Sequence, residues 1–183
     1  MVWTYKLFTG ERMWRNQTGE ISSLWCTTLI FTRDDGQCFI SPVVVHQITH
    51  CTQDIHYNIP SEWVIQNSQT GYMDHGSWHK SMSHFASVCW SSSLNNQGIL
   101  YDGHDSNVDD RVLYILRKHN INPFILKSGD SVHFQPNYNC PNIKLNNLYG
   151  NEIMNWMIHH RTLKFTPAHM NYVLVATWES FKL

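Results

Sequence analysis

Residues Gly98 to Asn107 read Gly-Ile-Leu-Tyr-Asp-Gly-His-Asp-Ser-Asn, and the rest of the chain is most easily interpreted outward from them. A short apolar run ends at Asp102, and Gly103 breaks the pattern before a new periodic segment begins. This pattern is typical of a buried strand that carries a carboxylate at its end. In sheets flanked by helices, ligands bind beyond the carboxyl ends of the strands, so Asp102 is a candidate site residue. An aspartate that caps a helix or closes a turn gives the same local pattern.

The residues after this stretch predict a helix and then a second strand. Ser106 or Asn107 is a suitable N-cap, and acids at positions 109 and 110 suit the positive end of the helix. An apolar stripe at positions 112 to 116 follows, and residues 121–126 are an apolar, β-prone run. Strand, helix and strand within about thirty residues predict a right-handed βαβ unit with parallel strands.

Upstream, the sequence predicts an antiparallel hairpin. Two strand-like runs between Leu24 and Val45 flank Asp34-Asp35-Gly36, and Asp-Gly between β-rich segments is a strong hairpin signal. Pro42 lies in the second run, and because proline lacks the donor N–H, we expect a bulge, an edge position or a break there. Residues 46–60 show no clear period and are interpreted as a loop, followed by a short strand at 63–66.

Three further helices are predicted from apolar periodicity. The first is capped by Asp74 or Ser77, and the last two span residues 142–161 and 166–181, the latter with Thr166-Pro167 at its start. The apolar faces of the first and last of these helices comprise Trp78, Met82, Phe85, Cys89, Met170, Val173, Leu174 and Trp178. Together the elements predict one α/β domain over residues 1–183, with a mixed sheet flanked by helices.

The composition restricts the class of protein. The chain has 183 residues, of which 42% are hydrophobic and only 15% charged, and no segment is apolar and long enough to cross a membrane. The formal net charge is −1, so there is no overall field that attracts a nucleic acid backbone. The five cysteines include no C-x-x-C pair, and the amino terminus lacks a secretory signal, so we expect an intracellular protein with reduced thiols.

Several short motifs occur in an order that is similar to one known family. They are Thr18-Gly19-Glu20, Asp34-Asp35-Gly36, Pro42 with Val43 to Val45, Gly71-Tyr72-Met73, Trp78, Leu100 to Asn107 and Phe134-Gln135-Pro136. In this order the chain resembles the DDE superfamily endonuclease domain of pogo, Tigger and jerky type transposases, from about Gly19 to the last helix. The resemblance implies a ribonuclease-H-like fold.

The resemblance also implies a metal-dependent site. In that family, two or three acids hold a pair of divalent ions that activate water and stabilise the leaving oxygen during DNA strand cleavage and joining. Oxygen ligands favour Mg²⁺ or Mn²⁺. The family's aspartate falls on Asp102, and Gly103 and His104 match its neighbours, so Asp102 is the expected catalytic acid and metal ligand.

Other positions depart from the family pattern. The family's first acid lies upstream of the region matching Gly19, where this chain has eighteen residues with Glu11 but no Asp-Glu motif. We therefore expect an amino-terminally truncated domain that lacks part of the amino-terminal strand region, with residues 1–18 as a leader or strand remnant. Tyr138 occupies the position of the third acid, where a neutral phenol is a poor Mg²⁺ ligand, and Asn107 replaces a family histidine.

The resemblance and the departures together imply a transposase-derived domain without efficient catalysis. One carboxylate does not hold two ions, so we expect no retained metal and only weak, non-specific DNA binding, in the nucleus if the chain follows the family. One alternative is an active endonuclease that uses Asp105, Asp130 or Glu152 as a replacement acid. Another alternative is a domesticated protein-interaction module. Its partner would be contacted by aromatic side chains, namely Trp63, Trp78 or Trp156.

Two further patterns are open to more than one interpretation. His46, His50 and Cys51 would place two imidazoles together if they shared a helix face, and a zinc site would need two further ligands close by, whereas a histidine-rich surface loop has the same pattern. Near the amino terminus, bases alternate with aromatics at Trp3, Lys6, Arg12, Trp14 and Arg15. That composition suits single-stranded nucleic acid, and it is also typical of an edge strand with an exposed basic face.

Overall fold

The computed structural model describes residues 2–9, 14–15, 21–22, 26–35, 37–38, 40–47, 56, 59–90, 97–127, 141–160 and 165–182. The strands are β1 (Val2–Thr9), β2 (Trp14–Arg15), β3 (Ile21–Ser22), β4 (Cys26–Arg33), β5 (Ile40–Gln47), β6 (Val64–Ser68), β7 (Gln97–Asp102) and β8 (Ile121–Leu126). The helices are α1 (His75–Trp90), α2 (Asp110–Lys118), α3 (Pro141–His159) and α4 (Pro167–Lys182). None of these helices is long and apolar enough to cross a bilayer.

Six strands form one mixed sheet in the order β6-β5-β4-β1-β7-β8, while β2 and β3 form a separate pair. The strands β1, β4 and β5 are antiparallel to their neighbours in that group. The pairs β1–β7, β7–β8 and β5–β6 are parallel. The molecule is therefore a mixed α/β structure, as the sequence predicts.

The predicted hairpin is confirmed in β4 and β5, which pair antiparallel across the turn at residues 34–35. Leu29 pairs with Val43 and Phe31 pairs with Ile40, so one residue of β4 faces Ser41 and Pro42 together. This β-bulge accommodates Pro42 inside an interior strand, because the extra residue leaves one backbone position without a ladder hydrogen bond. The bulge is one of the three arrangements expected from the proline.

The predicted βαβ unit is also confirmed, since β7, α2 and β8 follow one another and the two strands are parallel. The predicted N-cap is wrong. Asp109 caps α2, with its side chain accepting a hydrogen bond from Arg111 N at 2.9 Å, while Asn107 lies in a short 3₁₀ turn before it. The helix ends before Asn120, whose φ of 55° reverses the chain into β8.

The strand β8 lies at one edge of the sheet and contains Pro123. The carbonyl oxygens of Asn120 and Leu126 accept hydrogen bonds from Gln97 N and Gly103 N. The backbone N and C=O groups of the even-numbered residues in this segment therefore point toward β7, and those of the odd-numbered residues point away from it. The nitrogen of Pro123 therefore faces the open edge, where a missing N–H costs no hydrogen bond within the sheet. A proline at this place also hinders the addition of a further strand.

The amino-terminal segment is an interior strand and not the edge strand that its composition suggested. β1 pairs antiparallel with β4 along its whole length and parallel with β7, with Val2 beside Ile99 and Trp3 beside Leu100. The segment expected to be a leader or strand remnant thus contributes eight residues to the middle of the sheet. Nothing in its local sequence distinguishes this position from an edge, because only the pairing partners define it.

The helices cover both faces of the sheet. One core joins α1 and α2 to β4, β5, β7 and β8, and the other joins α3 and α4 to β4 and β5. Asp74 caps α1 by accepting a hydrogen bond from Ser77 N at 2.7 Å, as predicted. All eight predicted face residues of α1 and α4 are buried, at positions 78, 82, 85, 89, 170, 173, 174 and 178. The observed helices at 141–159 and 167–182 agree with the predicted spans within two residues.

Candidate functional site at the carboxyl end of β7

Asp102 is the last residue of β7 and is half-buried. Its Oδ1 atom is shielded from solvent and has no hydrogen-bond partner among the described residues. Buried polar atoms are nearly always hydrogen-bonded, so an orphaned carboxylate oxygen at a strand end indicates a group available to a ligand. The sequence therefore located the residue that the structure places at this end of the sheet.

Gly103 allows the chain to pass very close to the end of β8. Its N–H donates to the carbonyl oxygen of Leu126 at 2.8 Å, and any Cβ at this position would collide with that same oxygen. Among the described glycines, a positive φ is found at Gly71 and not at Gly103. Close approach, and not backbone conformation, therefore requires glycine after Asp102.

Asn107 fixes the turn that follows Asp102. Its side chain is buried, and Nδ2 donates to the carbonyl oxygen of Asp102 at 2.8 Å, while its backbone N–H donates to His104 O at 2.7 Å. The sequence had indicated this residue as a helix cap and as a departure from the family histidine. Its actual role depends on a contact across five residues that a local capping pattern does not show.

Asp109 and Arg111 form a bidentate pair at the start of α2. Arg111 Nε and Nη2 donate to the two carboxylate oxygens of Asp109, with a shortest distance of 2.6 Å. These hydrogen bonds hold the pKa of Asp109 at about 2. Because both oxygens are engaged by the guanidinium, this carboxylate is committed to the helix start and not to a metal ion.

The other acids are placed as follows. Asp105 is exposed in the 3₁₀ turn, and Glu152 is half-buried in the middle of α3. Glu11, Asp130 and Tyr138 lie outside the described residues, so the assignments made to them stay predictions. Within the part of the chain that the structure describes, no three His, Cys, Asp or Glu side chains are grouped to hold a metal ion.

The strand beside Asp102 contains no acid. β1 pairs parallel with β7 and reads Val-Trp-Thr-Tyr-Lys-Leu-Phe-Thr. A single carboxylate supplies one or two oxygen ligands, whereas Mg²⁺ requires six ligands and keeps its waters where few protein ligands are present. The described part of this site is therefore suited to weak, water-mediated ion contact and not to a two-ion centre.

His46 is a core residue and not part of a zinc site on a helix. It lies in β5, and its Nε2 is 2.8 Å from Oδ1 of Asn171 on α4, with both side chains buried. Burial lowers the pKa of His46 to about 4. The zinc interpretation required two histidines on one helix face, so it is wrong for His46, while His50 and Cys51 lie outside the described residues.

The aromatic residues expected to contact a protein partner are also buried. Trp63, Trp78 and Trp156 have exposed fractions of 7%, 1% and 7%. Trp63 packs edge-on against Trp178, and Trp78 against Tyr101, so these rings stabilise the two cores.

No protein-family model and no curated protein matches this sequence.

Proposed function

We propose that this chain is a transposase-derived, DDE-endonuclease-like domain of ribonuclease-H-like architecture that lacks efficient phosphodiester cleavage and binds nucleic acid weakly through phosphates. The observation that carries the proposal is the strand order of the sheet. The three antiparallel strands β1, β4 and β5 are followed by β7 and β8, which add in parallel on the other side of β1. The order and directions of these five strands support the ribonuclease-H-like architecture that the resemblance implies, while β6 lies at the outer edge of the sheet beside β5.

The position of Asp102 supports the same proposal. It is the last residue of β7, which lies directly beside β1, and it is therefore at the carboxyl end of a strand, where ligands of α/β proteins bind. The motif that resembles the family also contains Asp102, so sequence order and strand order agree on one residue. Nuclear location belongs to the proposal through the resemblance alone.

The described surroundings of Asp102 support the proposed loss of catalysis. Two divalent ions about 4 Å apart need carboxylates from different elements, and the adjacent strand β1 has none. Asp109 is occupied by Arg111. The sequence also has Tyr138, a poor Mg²⁺ ligand, at the position of the third acid. Tyr138 lies outside the described residues, so this assignment stays a prediction.

One observation favours the alternative of an active metal-dependent endonuclease. Asp102 Oδ1 is buried and without a partner among the described residues, as expected for a carboxylate that awaits a cation. In that case a replacement acid, Asp105, Asp130 or Glu152, completes the site.

Calorimetric titration of Mn²⁺ and Mg²⁺ separates the two functions. The wild type is compared with Asp102→Asn and with Glu62→Gln, which removes an exposed acid outside the motif and outside the candidate replacement acids. The proposal expects millimolar binding that is the same in all three proteins. Tight Mn²⁺ binding that is lost in Asp102→Asn and kept in Glu62→Gln would refute it and favour the active alternative.

Nucleic acid binding is tested by fluorescence anisotropy with duplex and single-stranded DNA of two unrelated sequences. We expect weak binding whose affinity falls linearly with salt on logarithmic axes, because phosphate contacts release counterions. A sequence-selective complex that resists salt would contradict the phosphate-driven mode. A protein that binds no DNA even at low salt would contradict the binding part of the proposal.

A further inference from the structure

The helix α3 has a second apolar face in addition to the one that packs into the core. Leu145, Tyr149, Ile153 and Trp156 are buried against the sheet and α4. Ile143, Met154 and Ile158 are exposed instead, with exposed fractions of 58%, 49% and 53%. Three large apolar side chains that are about half exposed on one helix are unusual for a monomer surface.

These three residues lie on one line along the helix. Positions 143, 147, 150, 154 and 158 are four or three residues apart, so they share one side of α3. At a rise of about 1.5 Å per residue, this outer stripe is about 22 Å long. Asn147 and Gly150 complete it, so the outer stripe contains no charge.

The outer layer of the molecule formed by α3 and α4 is poor in charge. The two helices carry two lysines and two glutamates between them. Lys144 is directed toward α4, since its Nζ donates to the carbonyl oxygen of Phe181 at 3.3 Å and lies 5.2 Å from the centre of the Phe181 ring. Depletion of charge together with exposed methionine and aliphatic residues is the composition of an interface centre.

We propose that the outer stripe of α3, which comprises Ile143, Asn147, Gly150, Met154 and Ile158, is the interface of a symmetric homodimer in which two α3 helices cross antiparallel. A two-fold axis midway between residues 150 and 151 places Ile143 opposite Ile158 of the second copy. The same axis places Asn147 opposite Met154. Gly150 lies at the crossing point, where the lack of a side chain allows the two helices to approach closely.

A second copy is the occupant that this stripe suits. A two-fold contact uses the same surface twice, and the stripe has isoleucine at both ends, so isoleucine meets isoleucine at each end of the contact. The formal net charge of −1 causes little repulsion between copies at neutral pH. A strongly acidic or basic partner would find no opposite charge along the outer stripe.

The interface is small. A standard interface buries about 800 Å² per partner, which is more than five residues of one helix provide. We therefore expect a dimer that dissociates on dilution.

Sedimentation equilibrium of the full chain over a wide range of concentrations tests this interface. We expect a monomer–dimer equilibrium for the wild type and only monomer for Ile143→Lys and for Ile158→Glu, because each single change buries a charge against isoleucine. When the two substitutions are combined, each lysine faces a glutamate across the axis, and association is expected to return. Tyr114→Glu is the matched control, since Tyr114 is 69% exposed on α2, which packs in the other core, and this change is expected to leave the dimer intact.

A wild type that remains monomeric at every concentration would overturn the proposal. So would single variants that dimerise as the wild type does, or a combined variant that stays monomeric, because the antiparallel pairing of residues 143 and 158 would then be wrong. Circular dichroism of each variant checks that it is folded, which we expect since both isoleucines are exposed.

Discussion

Replacing Gly103 by alanine should destabilise the protein by an amount that the local geometry determines. The Gly103 N–H donates to Leu126 O at 2.8 Å, and an added Cβ would collide with this oxygen and lie 3.1 Å from Cγ2 of Ile125. The oxygen belongs to the backbone of β8, so it cannot move aside as a flexible side chain would. The end of β8 must therefore separate from the turn after β7.

The cost is the sum of three effects. Forcing a methyl group into a packed site costs about 1–3 kcal/mol. Loss or stretching of the hydrogen bond adds about 0.5–1.5 kcal/mol. The less flexible unfolded chain offsets about 0.4–1 kcal/mol of this. We expect the free energy of unfolding to fall by about 2–3 kcal/mol, a large part of the 5–15 kcal/mol that is usual for a domain.

Urea denaturation of Gly103→Ala and of Gly76→Ala measures this effect. Gly76 lies in the first turn of α1, where an added Cβ would be 3.4 Å from Asp74 Oδ1, an ordinary contact. Alanine is a better helix former, so Gly76→Ala should be neutral or slightly stabilising. If Gly103→Ala is as stable as Gly76→Ala, then the close approach of the two strand ends does not determine the residue at 103.

Three further predictions concern buried polar groups. Burial lowers the pKa of His46 to about 4, below its unfolded value of about 6.5, so the unfolded chain binds an additional proton between these pH values. The free energy of unfolding should therefore fall by about 3 kcal/mol as the pH drops from about 6.5 to about 4. The difference in this free energy between the wild type and His46→Gln should shrink over the same pH range, and a constant difference would contradict the prediction. Asp109→Ala should cost about 1–2 kcal/mol through loss of the α2 cap, whereas Asp109→Asn, which keeps an acceptor, should cost clearly less in thermal denaturation. Asn107→Ala should cost about 1–2 kcal/mol because the carbonyl of Asp102 loses its donor. Asn107→Asp should be worse, since a carboxylate then faces that carbonyl, and equal urea midpoints for the two Asn107 variants would argue against the hydrogen bond.

The parts of the fold that were predictable from the sequence are those with local signals. Asp-Gly between β-rich runs indicates a hairpin wherever it occurs. A proline within a strand lacks a ladder donor, so it requires an irregularity such as the β-bulge at Pro42. The βαβ unit follows from a short strand–helix–strand spacing. Helix faces follow from periodicity, which is why Trp78, Met82 and Trp178 were correctly expected to be buried.

The parts that were not predictable depend on distant partners. β1 is an interior strand because β4 and β7 pair with it from positions far along the chain. His46 is part of a strand because β4 and β6 pair with it, and its buried ring bonds to Asn171, which is 125 residues away. The cap of α2 was misplaced by a few residues because Ser106, Asn107 and Asp109 are all good N-caps, and only the 3₁₀ turn excludes the first two.

The fold alone explains Gly103 and Asn107 in the motif around Asp102, but it does not explain Asp102 itself. Close packing against β8 accounts for Gly103, and a hydrogen bond to a strand-end carbonyl accounts for Asn107. The Asp102 carboxylate has no such role, because its Oδ1 is buried without a partner among the described residues, which costs stability. Asp102→Asn should therefore leave the free energy of unfolding unchanged or raise it by about 1 kcal/mol, as expected for a group held in place for a ligand and not for packing. If Asp102→Asn lowers stability by more than the Asn107→Ala change, then Asp102 is a structural residue, and the main argument for a functional site at the end of β7 is lost.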